Sequence, residues 1–201
     1  MKRPHRGIIL VVSAPSGAGK TTVINALLRK VKSLKRSIST TTRLKRGHEQ
    51  DGRDYYFVSE PGFKAMIKRK AFVEWAKVHG AFYGTSRAFL DGQMKRGYDV
   101  VLNIDVQGGR SIQRHYSEDA VLVFLLPPSW QELKRRLAKR GDIPPAAMKA
   151  RLKTAEQEVA SIGTYQYVVE NDRIGAAAKR IAAILEVEKL KVKKRGLTSW
   201  H

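Results

Sequence analysis

The chain contains no cysteine among its 201 residues. That absence excludes disulfide bonds and thiolate metal centres, and it fits a reducing cytoplasm, where the protein is expected to work. Long hydrophobic runs are missing too. No apolar stretch reaches the length needed to cross a bilayer, so no membrane association is expected. The basic start Met1–Arg6 runs into only a short apolar stretch, and a signal peptide is not expected. Acidic residues are scarce: 18 Asp and Glu stand against 39 Lys and Arg, for a net charge of +21 at pH 7. Such an excess favours anionic ligands without choosing among nucleotides, nucleic acids and anionic surfaces. The histidines at 5, 48, 79, 115 and 201 show no metal-ligand spacing. A hydrophobic fraction of 42% at this length is enough to bury a core.

What is present begins with Ser13-Ala14-Pro15-Ser16-Gly17-Ala18-Gly19-Lys20-Thr21-Thr22. The apolar run Ile8–Val12 precedes it and a helical pattern follows, the strand–loop–helix context of a phosphate-binding P-loop. The pattern G-x-x-x-x-G-K-[ST] is met at Gly19, Lys20 and Thr21, with Ala14 in place of its first glycine. Gly17 and Gly19 permit backbone conformations that aim N–H groups at an anion, and a helix N-terminus adds positive potential. Lys20 supplies an ammonium for the outer phosphates. The Thr21 hydroxyl supplies an oxygen ligand for Mg²⁺.

Along the rest of the chain the apolar spacing predicts a strand over 8–13 and a helix from the loop to about residue 31. Lys32–Arg36 reads as basic surface. Two short strands joined by a basic loop are expected between residues 39 and 58, then a helix over 61–70. Extended segments follow over 71–78 and 81–83 with a turn at Gly80, then a helix over 86–96 ending at Gly97. Val100–Val106 reads as a strand ending in a polar cluster, and Val121–Leu126 as a second buried strand. Ser129 caps a helix over 130–139, and a loop over 140–145 leads to a helix over 146–162. A strand over 167–171 and a helix over 175–194 with a basic tail complete the chain. Apolar strands alternating with helices predict an α/β fold with a parallel sheet flanked by helices. The polar stretch 37–86 breaks the alternation and is expected to be a separate lobe.

That stretch holds a second group of chemically suited residues. Arg43 and Arg46 would meet Tyr55 if the two strands pair, forming a clamp for a second phosphate. A basic loop beside a core aromatic pair explains the same residues. Glu74 lies in the apolar run Ala71–Ala76, where a carboxylate needs partners. It would be satisfied by the ring N–H and amino group of guanine. A structural salt bridge or an exposed strand face would serve as well.

At these positions, and at others in the same order, the chain resembles the guanylate kinases, P-loop enzymes that phosphorylate GMP with ATP. The resemblance runs from about Gly7 to Leu190. It rests on the loop 13–21, Ser39–Arg43 with Arg46, Asp54–Val58, Glu74, Tyr83-Gly84-Thr85 and Ile104–Gly108. Pro127-Pro128-Ser129, Arg140-Gly141, Arg151-Leu152 and Asn171-Asp172 complete it. It implies a P-loop NTPase-type parallel-sheet core with an inserted nucleoside-monophosphate-binding lobe and a helical lid. The core would comprise 1–36, 87–128 and 163–201, the GMP lobe 37–86 and the lid 129–162. ATP would be held by Ala14, Pro15, Ser16, Gly17, Ala18, Gly19, Lys20, Thr21 and Thr22, with Asn171 near the adenine. Ser39, Glu74 and Thr85 would contact guanine, and Arg43, Arg46, Tyr55 and Tyr83 would hold the GMP phosphate. Asp105 would sit near nucleotide and metal. Lys20, Arg140 and Arg151 would act on the transferring phosphoryl group, with Mg²⁺ arriving as Mg-ATP and Thr21 as its ligand.

The sequence departs from the family pattern at Asn103-Ile104-Asp105, where the family often has Asp-Ile-Asp. The missing charge is expected to weaken the organisation of metal or water there. A peptide-binding scaffold of the same shape would tend to lose the loop lysine or the lid arginines, which this chain keeps. The basic residues are dispersed and no RNA-binding motif is present, so nucleic acid is expected only as a non-specific electrostatic contact. A kinase of another small phosphorylated acceptor is disfavoured by Glu74 with Ser39 and Thr85.

Overall fold

Residues 8–12 are apolar without a break, and in a strand that buries both faces. Ile8, Leu10 and Val12 join one core cluster while Ile9 and Val11 join another, so this strand can only lie in the middle of a covered sheet. The computed structural model describes residues 7–78, 80–138 and 145–191, and of 145–147 the backbone alone. Its elements are β1 (Ile9–Ser13), α1 (Lys20–Lys30), β2 (Lys35–Arg36), β3 (Thr40–Thr41), β4 (Tyr56–Phe57), α2 (Glu60–Lys68), β5 (Phe72–Val78), β6 (Ala81–Ser86) and α3 (Arg87–Lys95). There follow β7 (Val100–Asn103), α4 (Val106–His115), β8 (Ala120–Leu126), α5 (Trp130–Ala138), α6 (Pro145–Val159), a short 3-10 turn (Ile162–Thr164), β9 (Tyr167–Glu170) and α7 (Ile174–Lys189).

The first sheet runs β2-β7-β1-β8-β9 and every pair in it is parallel. Val23, Ile24 and Leu27 of α1, with Ala177, Ile181 and Leu185 of α7, cover one face. Leu90 and Met94 of α3 and Ile112 of α4 cover the other. The second sheet, β4-β3-β6-β5, has a core of its own in which Phe63 stacks on Phe72 and Phe82 at 4.5 and 5.4 Å. The expected pair of short strands is present as β3 and β4, joined in parallel, while β5 and β6 form a hairpin through Gly80. Leu133 and Leu137 of α5 pack on Ala155 of α6 in a further small cluster.

The expected capping by Ser129 is present, its hydroxyl accepting from the Glu132 N–H at 3.1 Å. Two elements depart from the expectation. Lys35–Arg36 is an edge strand rather than bare surface, because backbone bonds from Lys35 to Asp99 and from Ser37 to Val101 extend the sheet whatever the side chains are. Residues 106–115 form α4, for which no helix was expected, since the pair Gly108-Gly109 lowers helix propensity. The Asp105 side chain offsets that by accepting from the Gly108 N–H at 2.8 Å. Several boundaries shift: α6 stops at Val159, β7 at Asn103, α7 at Lys189 and α2 at Lys68, while β6 runs on to Ser86. The tail beyond residue 191 and most of the loop 140–145 lie outside the described residues.

At the end of the sheet away from the glycine-rich loop, Asp99 joins three elements. Its carboxylate accepts from the Ile8 N–H at 2.9 Å and pairs with the Lys189 ammonium of α7 at 2.9 Å, and the residue is buried. Replacing Asp99 by Ala leaves a buried N–H and an ammonium without their acceptor. Chemical denaturation is expected to show a loss of about 2 kcal/mol, because bonds to charged groups carry more than neutral ones. A loss under about 0.5 kcal/mol, the scale of an ordinary surface change, would contradict this anchoring.

Candidate active site

The loop between β1 and α1 is held in shape from behind. Gly17 and Gly19 adopt φ of +90° and +89°, a region open to glycine and strained for other residues. The Ala18 N–H donates to Pro15 at 3.1 Å, and the Asn171 amide donates to the Ala18 carbonyl at 2.7 Å. A Cβ on Gly19 would stand 2.6 Å from that amide nitrogen, so glycine is required for space as well as for φ. No side chain caps α1, which leaves its first N–H groups free to meet an anion.

Lys20 donates to the Ile104 carbonyl at 2.8 Å, which ties the first turn of α1 to the end of β7. Burial lowers its pKa, while Glu158 and Asp105 act to raise it. Thr21 is exposed, and its hydroxyl oxygen accepts from the Asn103 amide at 3.3 Å. The loop residues Ala14 to Gly17 and Gly19, with Lys20 and Thr21, border a groove of about 490 Å³ whose other walls include Thr154 and Glu158 of α6 and Lys77 of β5; Ala18 is buried behind it.

A second cavity, about 300 Å³, opens between the two sheets. Ser39, Tyr55, Glu74 and Tyr83 line it on one side and Lys20, Asn103 and Asp105 on the other. Lys20, Val78 and Asp105 belong to both cavities, so the two spaces meet at the lysine. Glu74 faces Thr85 across the β5–β6 hairpin and accepts a hydrogen bond from its hydroxyl. Burial pushes the Glu74 carboxyl up to about 7; the Thr85 bonds oppose that and the Asp105 charge adds to it. Gly108 leaves the room, since a Cβ there would come within 3.1 Å of the Glu74 Oε2.

Tyr55 and Tyr83 meet edge to face at 6.0 Å, and the Arg43 guanidinium lies over the Tyr55 ring at 5.4 Å. Arg43 donates to Glu49 at 2.6 Å and to the Leu44 carbonyl at 2.7 Å, while Glu49 also accepts from the Arg46 N–H at 2.9 Å. The Arg43 and Arg46 bonds hold the Glu49 carboxyl down at about 2. The Arg46 side chain is exposed.

Of the residues expected to act together, Ala14 to Gly17, Gly19 and Thr21 border the groove, Ser39, Tyr55, Glu74 and Tyr83 line the cavity between the sheets, and Lys20 and Asp105 belong to both. Ala18, Thr22, Arg43, Arg46 and Arg151 line neither space, and Arg43 stands beside Tyr55. Three more stand differently. Thr85 is fully buried and reaches the cavity through Glu74. Asn171 is buried beneath the loop, with its Oδ1 lacking any hydrogen-bond partner. Arg140 lies outside the described residues, whereas Arg151 is on α6. Sequence reasoning missed Glu49, Arg36, Ser37 and Glu158. Arg36 lines the cavity between the sheets and donates to the Asn25 side chain. Glu158 falls about two helical turns after Arg151, a spacing that places both on one face of α6 and could have flagged it.

Among the described residues no cluster of three or more His, Cys, Asp or Glu could hold a metal ion. The oxygens at the junction, from Thr21, Asn103 and Asp105, suit a hard cation that brings phosphates and waters as its other ligands. No described helix is long and apolar enough to cross a membrane.

Residues 6–188 match the family model for guanylate kinase. A guanylate kinase of Caldanaerobacter subterraneus subsp. tengcongensis is 44% identical over 192 residues, covering 96% of this chain and 93% of that protein. One of Dechloromonas aromatica is 45% identical over 184 residues, covering 92% and 91%. The crystal structure of guanylate kinase from Anaplasma phagocytophilum superposes with a TM-score of 0.79 at 35% identity, over 94% of this chain and 90% of that one. The chain belongs to the guanylate kinase family.

Proposed function

We propose that the chain transfers the γ-phosphoryl group of ATP to GMP, and to dGMP, giving ADP and the nucleoside diphosphate. The observation that carries this reading is the meeting of two cavities at Lys20. One is walled by the glycine-rich loop, an anion receptor, and the other holds a buried carboxylate. Guanine presents a ring N–H and an amino group side by side, and one carboxylate accepts both. Adenine presents an acceptor nitrogen at the corresponding position, so Glu74 selects against it.

In this reading the loop 14–22 and Lys20 hold the donor phosphates, and Asn171 is near the adenine through its unpartnered Oδ1. Ser39, Glu74 and Thr85 recognise guanine. Tyr55, Tyr83, Arg43 and Arg46 hold the acceptor phosphate, with Glu49 keeping Arg43 in place. Thr21 would be the chain's own ligand for the magnesium of Mg-ATP, with Asp105 nearby, and the ion would supply charge neutralisation at the phosphates. Phosphoryl transfer needs alignment and charge neutralisation more than covalent help. An oxygen of the GMP phosphate attacks the γ-phosphorus in line, the bond to the bridging oxygen of ADP breaks, and Lys20, Arg140 and Arg151 offset the charge. No general base is required, because the acceptor phosphate is already an anion. The lobe 37–86 and the lid 129–162, each with its own small core, close over the two nucleotides and exclude water. The chemistry suits a cytoplasmic nucleotide pool.

An acceptor panel in a coupled assay tests the activity: ADP release is expected with GMP and dGMP and not with AMP, CMP or UMP. ADP release that does not depend on GMP would overturn the reading. Lys20→Ala is expected to reduce kcat by about 100-fold or more while the melting temperature holds. Glu74 accepts both guanine donors only when ionised, so its raised pKa makes GMP affinity improve as pH rises from 6 to 8. In Glu74→Gln, KM for GMP is expected to rise by about 10-fold or more and lose the pH dependence due to Glu74, with ATP affinity retained. A pH profile unchanged by this substitution would contradict the assignment.

A further inference from the structure

Glu158 has no role in the scheme above, yet its carboxylate stands in the donor groove. It lies near the end of α6, and its Oε2 accepts a hydrogen bond from the Ser16 N–H of the glycine-rich loop at 3.3 Å. Thr154, one turn earlier, shares the same wall. Burial raises the pKa of Glu158 and the Asp105 charge adds to that, while Lys20 and the Ser16 N–H favour the ionised form. The arrangement therefore seats an anion of the chain itself against a loop whose geometry receives anions.

A phosphate and this carboxylate cannot share the loop at low cost. Like charges a few ångströms apart in a partly desolvated groove repel strongly, and both would draw on Lys20 and the same N–H groups. We propose that Glu158 is an internal competitor for the donor's phosphates: it occupies the Ser16 end of the loop in the free protein and is displaced when donor binds. The inference rests on the reading of the loop as the donor site. Arg151 lies on the same face of α6, about two turns before Glu158. The phosphate that repels one attracts the other.

The test is calorimetric titration of the full chain with ADP, and separately with inorganic pyrophosphate, both without metal. Glu158→Gln keeps an oxygen to accept from Ser16 but removes the charge. It is expected to bind both probes about 5-fold tighter or more, the scale of a coupling between competing sites. GMP affinity is expected to stay as in the wild type, which separates a local release from a general loosening of the fold. Glu158→Asp, which keeps the charge but withdraws it by one methylene, should gain less, and it serves if the glutamine variant does not fold. Folded variants that bind ADP no tighter than the wild type overturn the inference and leave the proposed activity standing. A wild type that binds neither ADP nor pyrophosphate overturns the donor-site reading together with it.

Discussion

The Lys20 ammonium lies where the C-terminal ends of β1 and β7 part, bonded to the Ile104 carbonyl at 2.8 Å. Burial there works against its charge, and the nearby carboxylates of Asp105 and Glu158 work for it. The rest of the structure depends on that balance. The parallel sheet exists to bring two strand ends together at this point, since ligands of open α/β sheets bind beyond the carboxyl edge. The glycine-rich loop wraps the lysine from one side, and the second sheet leans over it from another. In the proposed reading incoming phosphates add to the counter-charge of this half-buried cation.

Glu74 is the complement of Lys20 in the other cavity. It is a buried acid whose pKa burial raises, as burial lowers that of the Lys20 ammonium. Thr85 meets it with its hydroxyl and its backbone, and burial still outweighs both bonds. The large positive charge of the chain favours anionic ligands without telling them apart. In the proposed reading discrimination falls to the edge of a base meeting one carboxylate.

Much of this was legible in the sequence where the signal was local. The strand at 8–13, the loop and α1 follow one another without interruption, and each prepares the next. Ser129 announces its helix because a cap is a property of neighbouring residues. What was hidden depends on distant pairing. The two-residue strand β2 carries too little pattern to read, and its place is fixed only once β7 is there to pair with it. Helix α4 was obscured by Gly108-Gly109, which are there because Glu74 and Tyr165 press on them from other elements. Ser16 and Glu158 are 142 positions apart, and Arg36 enters the cavity wall only as an edge strand. In the same way Arg43 looked like a free cation in the sequence and is bonded to Glu49 in the fold.

The central claim is that one lysine joins two nucleotide sites within reach of each other. A molecule that links adenosine to guanosine through a chain of five phosphates measures this directly. It should bind one per chain and compete with ATP and with GMP alike, each competition being overcome by raising that nucleotide. If it competes with only one of them, or binds two per chain, the cavities do not meet at Lys20 as a single reaction site.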